Sequence, residues 1–337
     1  MKKTKSGEDC FRSFFIAAMT VGLTMMMSAS TAFGAGRSGF PVAKVFMDPR
    51  ALALAGACVS ESGWSSGAVL NPAAAAGSQR GGQASFARHT LDLWSGGFGV
   101  CQPLGSNLVV GVNLSRFDYG EFEYIEEGVG KTGASFTAAE NLLSVYYAQR
   151  QTSSLTWGLS AKYFWGVLEN ETASAGAVDA GFTFDPGWES VKAGGAVRNL
   201  GSVYSGYGAE ESELPTEVVL GGSKKLEHLP LTLHAAAVFS ATEDGDWTVD
   251  WLPGKPGFSF GAGGEFRVEP DGVKEPFFVR LGYNSRGQGM MVGHRLDLLC
   301  GFAFGLGLQV NKIAFDYTYA PMGALGDIHR FGVKGWF

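Results

Sequence analysis

Two short runs place residues at spacings that chemistry uses. Gly257-Phe258-Ser259-Phe260-Gly261 matches the G-x-S-x-G elbow of serine nucleophiles, which needs a sharp strand-to-helix turn. Here the run sits inside an alternation of aromatic and small residues that reads as a strand, so no nucleophile is assigned. Gly128-Val129-Gly130-Lys131-Thr132-Gly133 matches G-x-G-x-x-G around a Gly-Lys-Thr core. A phosphate-cradling loop needs glycine at position 125, where Ile125 stands, and a helix to follow. The five histidines (His89, His228, His234, His294, His329) show no H-x-x-x-H or Cys/His spacing suited to a metal. The reading is therefore of a chain without a catalytic centre, a metal or a cofactor.

A different set of ionisable residues stands out by its placement. Period-2 parity along the apparent strands collects Lys162, Asp179, Lys192, Arg198, Glu217, His234, Glu265, Arg267, Arg280, Asp316, Arg330 and Lys334 on one face, opposite the apolar one. Turned inward in a closed sheet, these groups either pair with one another or line a mixed-charge passage. Both can hold together, because ions shielded from bulk water must be paired or wet.

The elements that position them are strands. Trp157, Leu159, Ala161, Tyr163, Trp165 and Val167 alternate with Gly158, Ser160, Lys162, Phe164 and Gly166. The pattern returns in 177–184, 277–283, 301–310 and 313–319, and more weakly near 82–91, 94–104, 107–117, 141–149, 191–198, 216–226, 231–240, 246–251 and 258–268. With the closing stretch 328–337 this gives fourteen or fifteen strands; single-chain bacterial barrels use even numbers, which favours fourteen. A soluble sandwich would bury its apolar face and rarely set glycine against it. Here glycine supplies 50 of 337 residues, about twice the usual share. In hydrocarbon every backbone group must be paired internally, so a membrane chain without spanning helices must close its sheet. The fold class expected is all-β: a transmembrane antiparallel β-barrel of about fourteen strands. Polar stretches 118–140, 201–216, 243–256 and 284–295 read as outer loops.

Residues 1–34 have the form of a secretory signal peptide: Lys2, Lys3, Lys5 and Arg12, an apolar run from Phe14 to Met27, then small residues with cleavage after Ala32 or Gly34. No cysteine marks the exit for a lipid anchor. Removing this leader takes away four Lys/Arg and two Asp/Glu, which moves the net charge from −6 to about −8. That balance argues against nucleic acid as a partner. Cys58, Cys101 and Cys300 remain and read as small buried thiols, with Cys101 toward the lumen and Cys300 toward lipid.

The run Asp48-Pro49-Arg50-Ala51-Leu52-Ala53-Leu54-Ala55-Gly56-Ala57-Cys58-Val59-Ser60, followed by Leu70-Asn71-Pro72-Ala73, resembles the PorV/PorQ-type outer-membrane proteins. These are relatives of the FadL long-chain fatty-acid transporters and of spirochaetal FadL-like proteins. Cys58 stands where the group usually has an aromatic, Ala74 where it has glycine, and the spacer Glu61–Gly67 is less acidic. The stretch Phe315–Gly326 with His329-Arg330 is similar to the group's ending. The resemblance implies three regions: a leader over 1–34, a hatch over 35–80 folded inside the barrel with Asn71, Pro72 and Ala73 at its constriction, and a barrel over 81–337. An ordinary capping turn before the first strand is the simpler reading of Asn71-Pro72. Phe337, ending an alternating strand, reads as the barrel-assembly signal. The expected partners are the lipid bilayer, the barrel-assembly machinery, small hydrophobic molecules such as long-chain fatty acids, or, in the PorV-like alternative, proteins of a secretion system. Localisation would be the outer membrane of a diderm bacterium.

Overall fold

The computed structural model describes residues 37–337 except 127–129, 189, 209–211, 241–256, 270–274, 292–294 and 324–325. The leader assigned to 1–34 and the weak strand expected at 246–251 lie outside the described residues.

Fourteen strands close into one antiparallel barrel. They are β1 (Gly81–Arg88), β2 (Trp94–Leu104), β3 (Leu108–Glu126), β4 (Gly130–Arg150), β5 (Leu155–Leu168), β6 (Glu171–Phe184), β7 (Val191–Ser205), β8 (Glu217–Lys225), β9 (Leu231–Ser240), β10 (Phe258–Val268), β11 (Phe277–Asn284), β12 (Phe302–Val310), β13 (Ile313–Pro321) and β14 (Asp327–Trp336). Neighbours in sequence pair throughout, and β14 closes on β1 from His329↔Arg88 to Trp336↔Gly81. Closure leaves no sheet edge for lipid to face. The Phe337 amide then donates to the Arg80 carbonyl at 3.1 Å, and the Arg80 guanidinium stacks on the Phe337 ring.

Connections at the end that carries both β1's start and the C-terminus are short. Val310 and Ile313 are joined by two residues, with Asn311 in the left-handed conformation that tight hairpins require. At the far end, β3 and β4 run on well past their neighbours. Residues 118–126 and 130–140, expected as a loop, are a continued ladder with register shifts after Asp118 and Glu123. Phe122 stacked on Phe136 and Tyr124 packed beside it carry that hairpin outward, and its charges concealed the alternation.

The two faces of the wall follow the sequence alternation. Leu159, Tyr163, Phe304, Leu306, Phe331 and Val333 are exposed on the exterior, whereas Ser160, Lys162, Phe164, Ala303 and Arg330 are buried inside. Aromatic pairs such as Tyr163–Trp165, Tyr283–Phe302 and Tyr317–Phe331 share that outward face with the aliphatic side chains. An apolar outward face of this kind is the exterior of a membrane barrel.

Residues 39–80 pack against the inward face of that wall. A 3-10 turn covers Pro41–Lys44, and helix α1 spans Pro49–Ala53. Asp48 caps α1 by accepting from the Ala51 amide, with Pro49 at the first helical position where no amide is missed. Two further 3-10 turns, Ser65–Val69 and Pro72–Ala75, complete the segment. Inward glycines make the fit possible: an added Cβ would lie 2.5 Å from the Ala73 amide nitrogen at Gly158, and 2.5 Å from the carbonyl oxygens of Ala55 and Ala53 at Gly261 and Gly282.

The three cysteines are free and buried. Cys101 donates to the Gln79 carbonyl on the inner side. Cys300 does not face lipid as expected: it follows a 3-10 turn at Arg295–Leu299 and packs against Gly323.

Candidate functional site in the lumen

Asn71 sits at the centre of the segment's contact with the wall. It is fully buried; its Oδ1 accepts from the Ala73 amide, while Nδ2 donates to the Val59 carbonyl at 2.8 Å and to the Phe182 carbonyl of β6 at 2.9 Å. Pro72 and Ala73 lie against Gly158 of β5. The simpler expectation of a capping turn therefore describes part of what Asn71 does, and the bond to β6 is the part beyond it.

Around Arg50, the inward charges form one chain of alternating sign. Asp48 contacts Lys334 at 2.9 Å, Lys334 contacts Asp316 at 3.3 Å, and Asp316 contacts Arg280 at 2.6 Å. Arg280 continues to Glu265 at 2.6 Å, Glu265 to Arg50 at 2.8 Å, and Arg50 approaches Glu61 at 3.9 Å. The chain starts and ends in the N-terminal segment and crosses β14, β13, β11 and β10. Arg50 is also stacked on the Trp64 ring at 4.9 Å. Removing one member leaves a buried charge unpaired, a far larger loss than deletion of a surface pair.

A second cluster lies on β5–β8. Lys162 pairs with Asp179 at 2.6 Å and donates to Asn199 Oδ1 at 2.8 Å, and Asp179 accepts the Asn199 amide at 2.7 Å. Asn199 has φ +56°, at a bulge where Val178 pairs with Leu200 while Ala180 pairs with Val197. Asparagine tolerates this conformation better than most residues. The bulge turns both Arg198 and Asn199 inward. Arg198 and Arg286 flank Glu217 in two short ion pairs, Arg286 reaching in from a 3-10 turn at Ser285–Met290.

His234 lies between the clusters, its ring wholly enclosed, with Nδ1 3.8 Å from Glu61 Oε1 and both ring nitrogens without hydrogen bonds. It faces Ser223 across the β8–β9 ladder. Ser, His and Glu thus converge, but Ser223 donates to Glu61 at 3.1 Å and accepts from Ser60 at 3.1 Å. A nucleophile must share its proton with its base, and here it does not. Lys192, half-buried on β7, is part of the same surroundings. Arg267 stands apart: it is exposed, paired with Glu269 at 2.6 Å and lies over the Phe278 ring near the terminal end of the barrel. Phe258–Gly261 of the Ser259 run lie within β10, and residues 130–133 of the glycine-rich run within β4, so neither is followed by the helix its chemistry requires. Among the described residues no group of His, Cys, Asp and Glu is arranged to hold a metal ion.

Lys162, Asp179, Arg198, Glu217, His234, Arg280 and Asp316 are buried, Arg267 is not, and several partners of the buried set gave no signal in the sequence. Asp48, Arg50 and Glu61 belong to a segment without alternation, and nothing in their spacing signals ion pairs more than 200 residues away in the chain.

Neither known family models nor curated protein sequences match this chain. Solved structures share its fold. The CymD monoaromatic hydrocarbon channel aligns over 90% of this chain and 98% of its own length, with a TM-score of 0.56 at 10% identity. The Pseudomonas putida toluene transporter TodX aligns over 90% and 98%, with a TM-score of 0.52 at 12% identity.

Proposed function

We propose that this chain is an outer-membrane channel of FadL-like type that admits small hydrophobic molecules, with residues 35–80 acting as its hatch. The observation that carries the reading is the folded N-terminal segment seated inside a barrel with a lipid-compatible exterior. Two barrels that share the fold, CymD and TodX, are described as a monoaromatic hydrocarbon channel and a toluene transporter. In this reading the long β3–β4 hairpin and the connections at its end face the cell exterior, with Arg37–Ser38 paired to Ser212–Glu213 at that same end, and Phe337 faces the periplasm. Solute enters at the outer end and meets the constriction at Asn71, Pro72 and Ala73. It passes when the segment shifts within the lumen. No cofactor is needed, because flux follows the gradient. Residues 1–34 direct export and Phe337 directs barrel assembly. Long-chain fatty acids and monoaromatic hydrocarbons are both candidate cargoes.

The resemblance of Asp48–Ser60 and Phe315–Gly326 to PorV/PorQ-type proteins favours one other reading, an accessory or shuttle of a secretion system. Uptake assays separate the two. Cells lacking endogenous hydrocarbon channels and expressing this protein are expected to take up labelled toluene or oleate faster than cells with the empty vector. Absence of uptake of either solute, together with stable co-purification of a secretion complex, would overturn the channel reading.

A further inference from the structure

Among the described residues, every ladder of the barrel but one joins strands that follow one another in the chain. A connection limits the register of each such pair. The seam between β14 and β1 has no connection to limit it. Slipping β14 by two residues, about 7 Å, would leave every side chain on its own face, so alternation does not choose between the pairings. The seam ladder also contains Gly81, Gly82, Gly332 and Gly335, and glycine-rich strands specify register weakly. Outward side chains add little, because lipid is as apolar a neighbour for Phe331 as Phe86 across the seam.

The inner face carries what the seam lacks. Three successive inward positions of β14 meet three residues in a row of the N-terminal segment. Arg330 Nη1 donates to the Met47 carbonyl at 3.3 Å, and Lys334 Nζ lies 2.9 Å from Asp48 Oδ2. Gly332, between them, faces the Pro49 ring, and a Cβ there would lie 2.7 Å from Pro49 Cγ. After a slip of two residues in either direction, the side chain of Arg330 or Lys334 would fall where glycine alone fits. The same segment is fixed to the other side of the seam. Ser65 donates to Gln83 of β1 at 3.2 Å. Cys101 of β2 donates to the Gln79 carbonyl at 3.0 Å, and the chain runs from there into β1. The wall contributes as well, through the bond from Arg330 Nη2 to Ser95 of β2 at 2.6 Å.

We propose that the N-terminal segment is the register gauge of barrel closure: Met47, Asp48 and Pro49, carried on the β1 side, admit β14 in one stagger. Stagger and strand tilt together fix the bore of a barrel, so the gauge sets the width of the lumen too. This is a function in assembly, and it holds whatever the protein transports.

Disulfides across the seam read the register. In full-length protein with the native cysteines replaced by alanine, Val333→Cys is combined with Ala84→Cys, its native partner. In parallel it is combined with Phe86→Cys or Gly82→Cys, its partners after a slip of two in either direction. Opposed Cβ atoms are about 4.5–5.5 Å apart and diagonal ones about 7–8 Å, so copper-catalysed oxidation of the native barrel favours the first pair. Gly332→Lys with Lys334→Gly then moves the glycine two places along β14. This swap is expected to turn the ratio of 333–84 to 333–86 disulfide at least about tenfold toward the slipped pair, because the native register now overpacks Pro49. Asp48→Ala with Pro49→Ala blunts the gauge and leaves both strands untouched. It is expected to raise the slipped products at least about threefold, since β14 loses its buried ion pair with the segment. Folding is checked by the heat-dependent gel shift of intact barrels, and if the swap fails to fold, the segment variant decides. Parental ratios in every variant that folds would overturn the proposal and show that the wall sets its own register. Solute uptake does not enter the readout, so failure here is distinct from failure of the channel reading.

Discussion

Lys334 Nζ lies 2.9 Å from Asp48 Oδ2, so the last barrel strand is tied to the N-terminal segment by a buried ion pair. The same ammonium reaches Asp316 on β13, and the Asp48 carboxylate also caps α1. One pair thus couples three events: strand closure, helix initiation and seating of the segment.

Asp48→Asn should preserve the cap, since asparagine also accepts from the Ala51 amide, while discarding the charge. The expected loss is about 2–3 kcal/mol, less than for a fully dry pair because Lys334 keeps Asp316. Protease sensitivity of residues 39–80 in otherwise heat-stable barrels reads this out. Adding Lys334→Met to Asp48→Asn should recover part of the loss; a double variant as weak as the sum of the two singles would refute the coupling.

Gly282→Val places side-chain atoms where the Ala53 carbonyl oxygen now lies, 2.5 Å from the first added carbon. Backbone cannot rotate away as a side chain can, so overpacking should cost about 1–3 kcal/mol and unseat the segment before it breaks the barrel. Gly335→Val is the control, since an added Cβ there meets nothing within 4 Å. Equal melting and equal protease resistance of the two variants would count against tight seating on β11.

Asn71 separates shape from hydrogen bonding. Asn71→Ala removes three bonds and leaves the Phe182 carbonyl and the Ala73 amide unmet, for a loss of about 2–4 kcal/mol. Asn71→Asp keeps the cap but aims a carboxylate at two carbonyl oxygens, so it should be the worse substitution despite its similar size. Midpoints of urea unfolding for the two variants rank them directly. The opposite order would show that the contact with β6 is not a donor–acceptor contact.

Much of this architecture was legible in the residues themselves. Side chains on a strand alternate by geometry, so Leu159 and Lys162 declared their faces without a structure, and the glycine half of the pattern marked the inner wall. What parity cannot supply is partners. Arg280 was readable as inward, but its bonds to Glu265 and Asp316 depend on register and on side-chain reach across the sheet. Bulges defeat parity locally: Arg198 and Asn199 are consecutive and both point inward. In the β3–β4 hairpin, Glu121 and Glu123 between aromatics read as loop, because charge on an outward strand beyond the bilayer costs nothing. The N-terminal segment has no period at all, and its seating depends on glycines scattered over the rest of the chain.

His89, in the connection between β1 and β2, provides a test by pH. Its ring is 2.7 Å from Ser95 Oγ, and Arg330 donates to that same oxygen at 2.6 Å. Burial, with the nearby Arg330 charge adding to it, pushes the imidazole down to about 4 from an ordinary 6.5. The folded protein therefore holds His89 neutral through a range where the unfolded chain protonates it. Between pH 6.5 and about 4 the unfolded state binds more protons, so stability from this group is complete above 6.5 and declines as pH falls toward 4. Unfolding midpoints should drop between pH 7.5 and 5. His89→Gln, which keeps a polar contact to Ser95 without a titrating ring, should flatten that drop. An unchanged slope in the variant would assign the acid sensitivity elsewhere in the barrel.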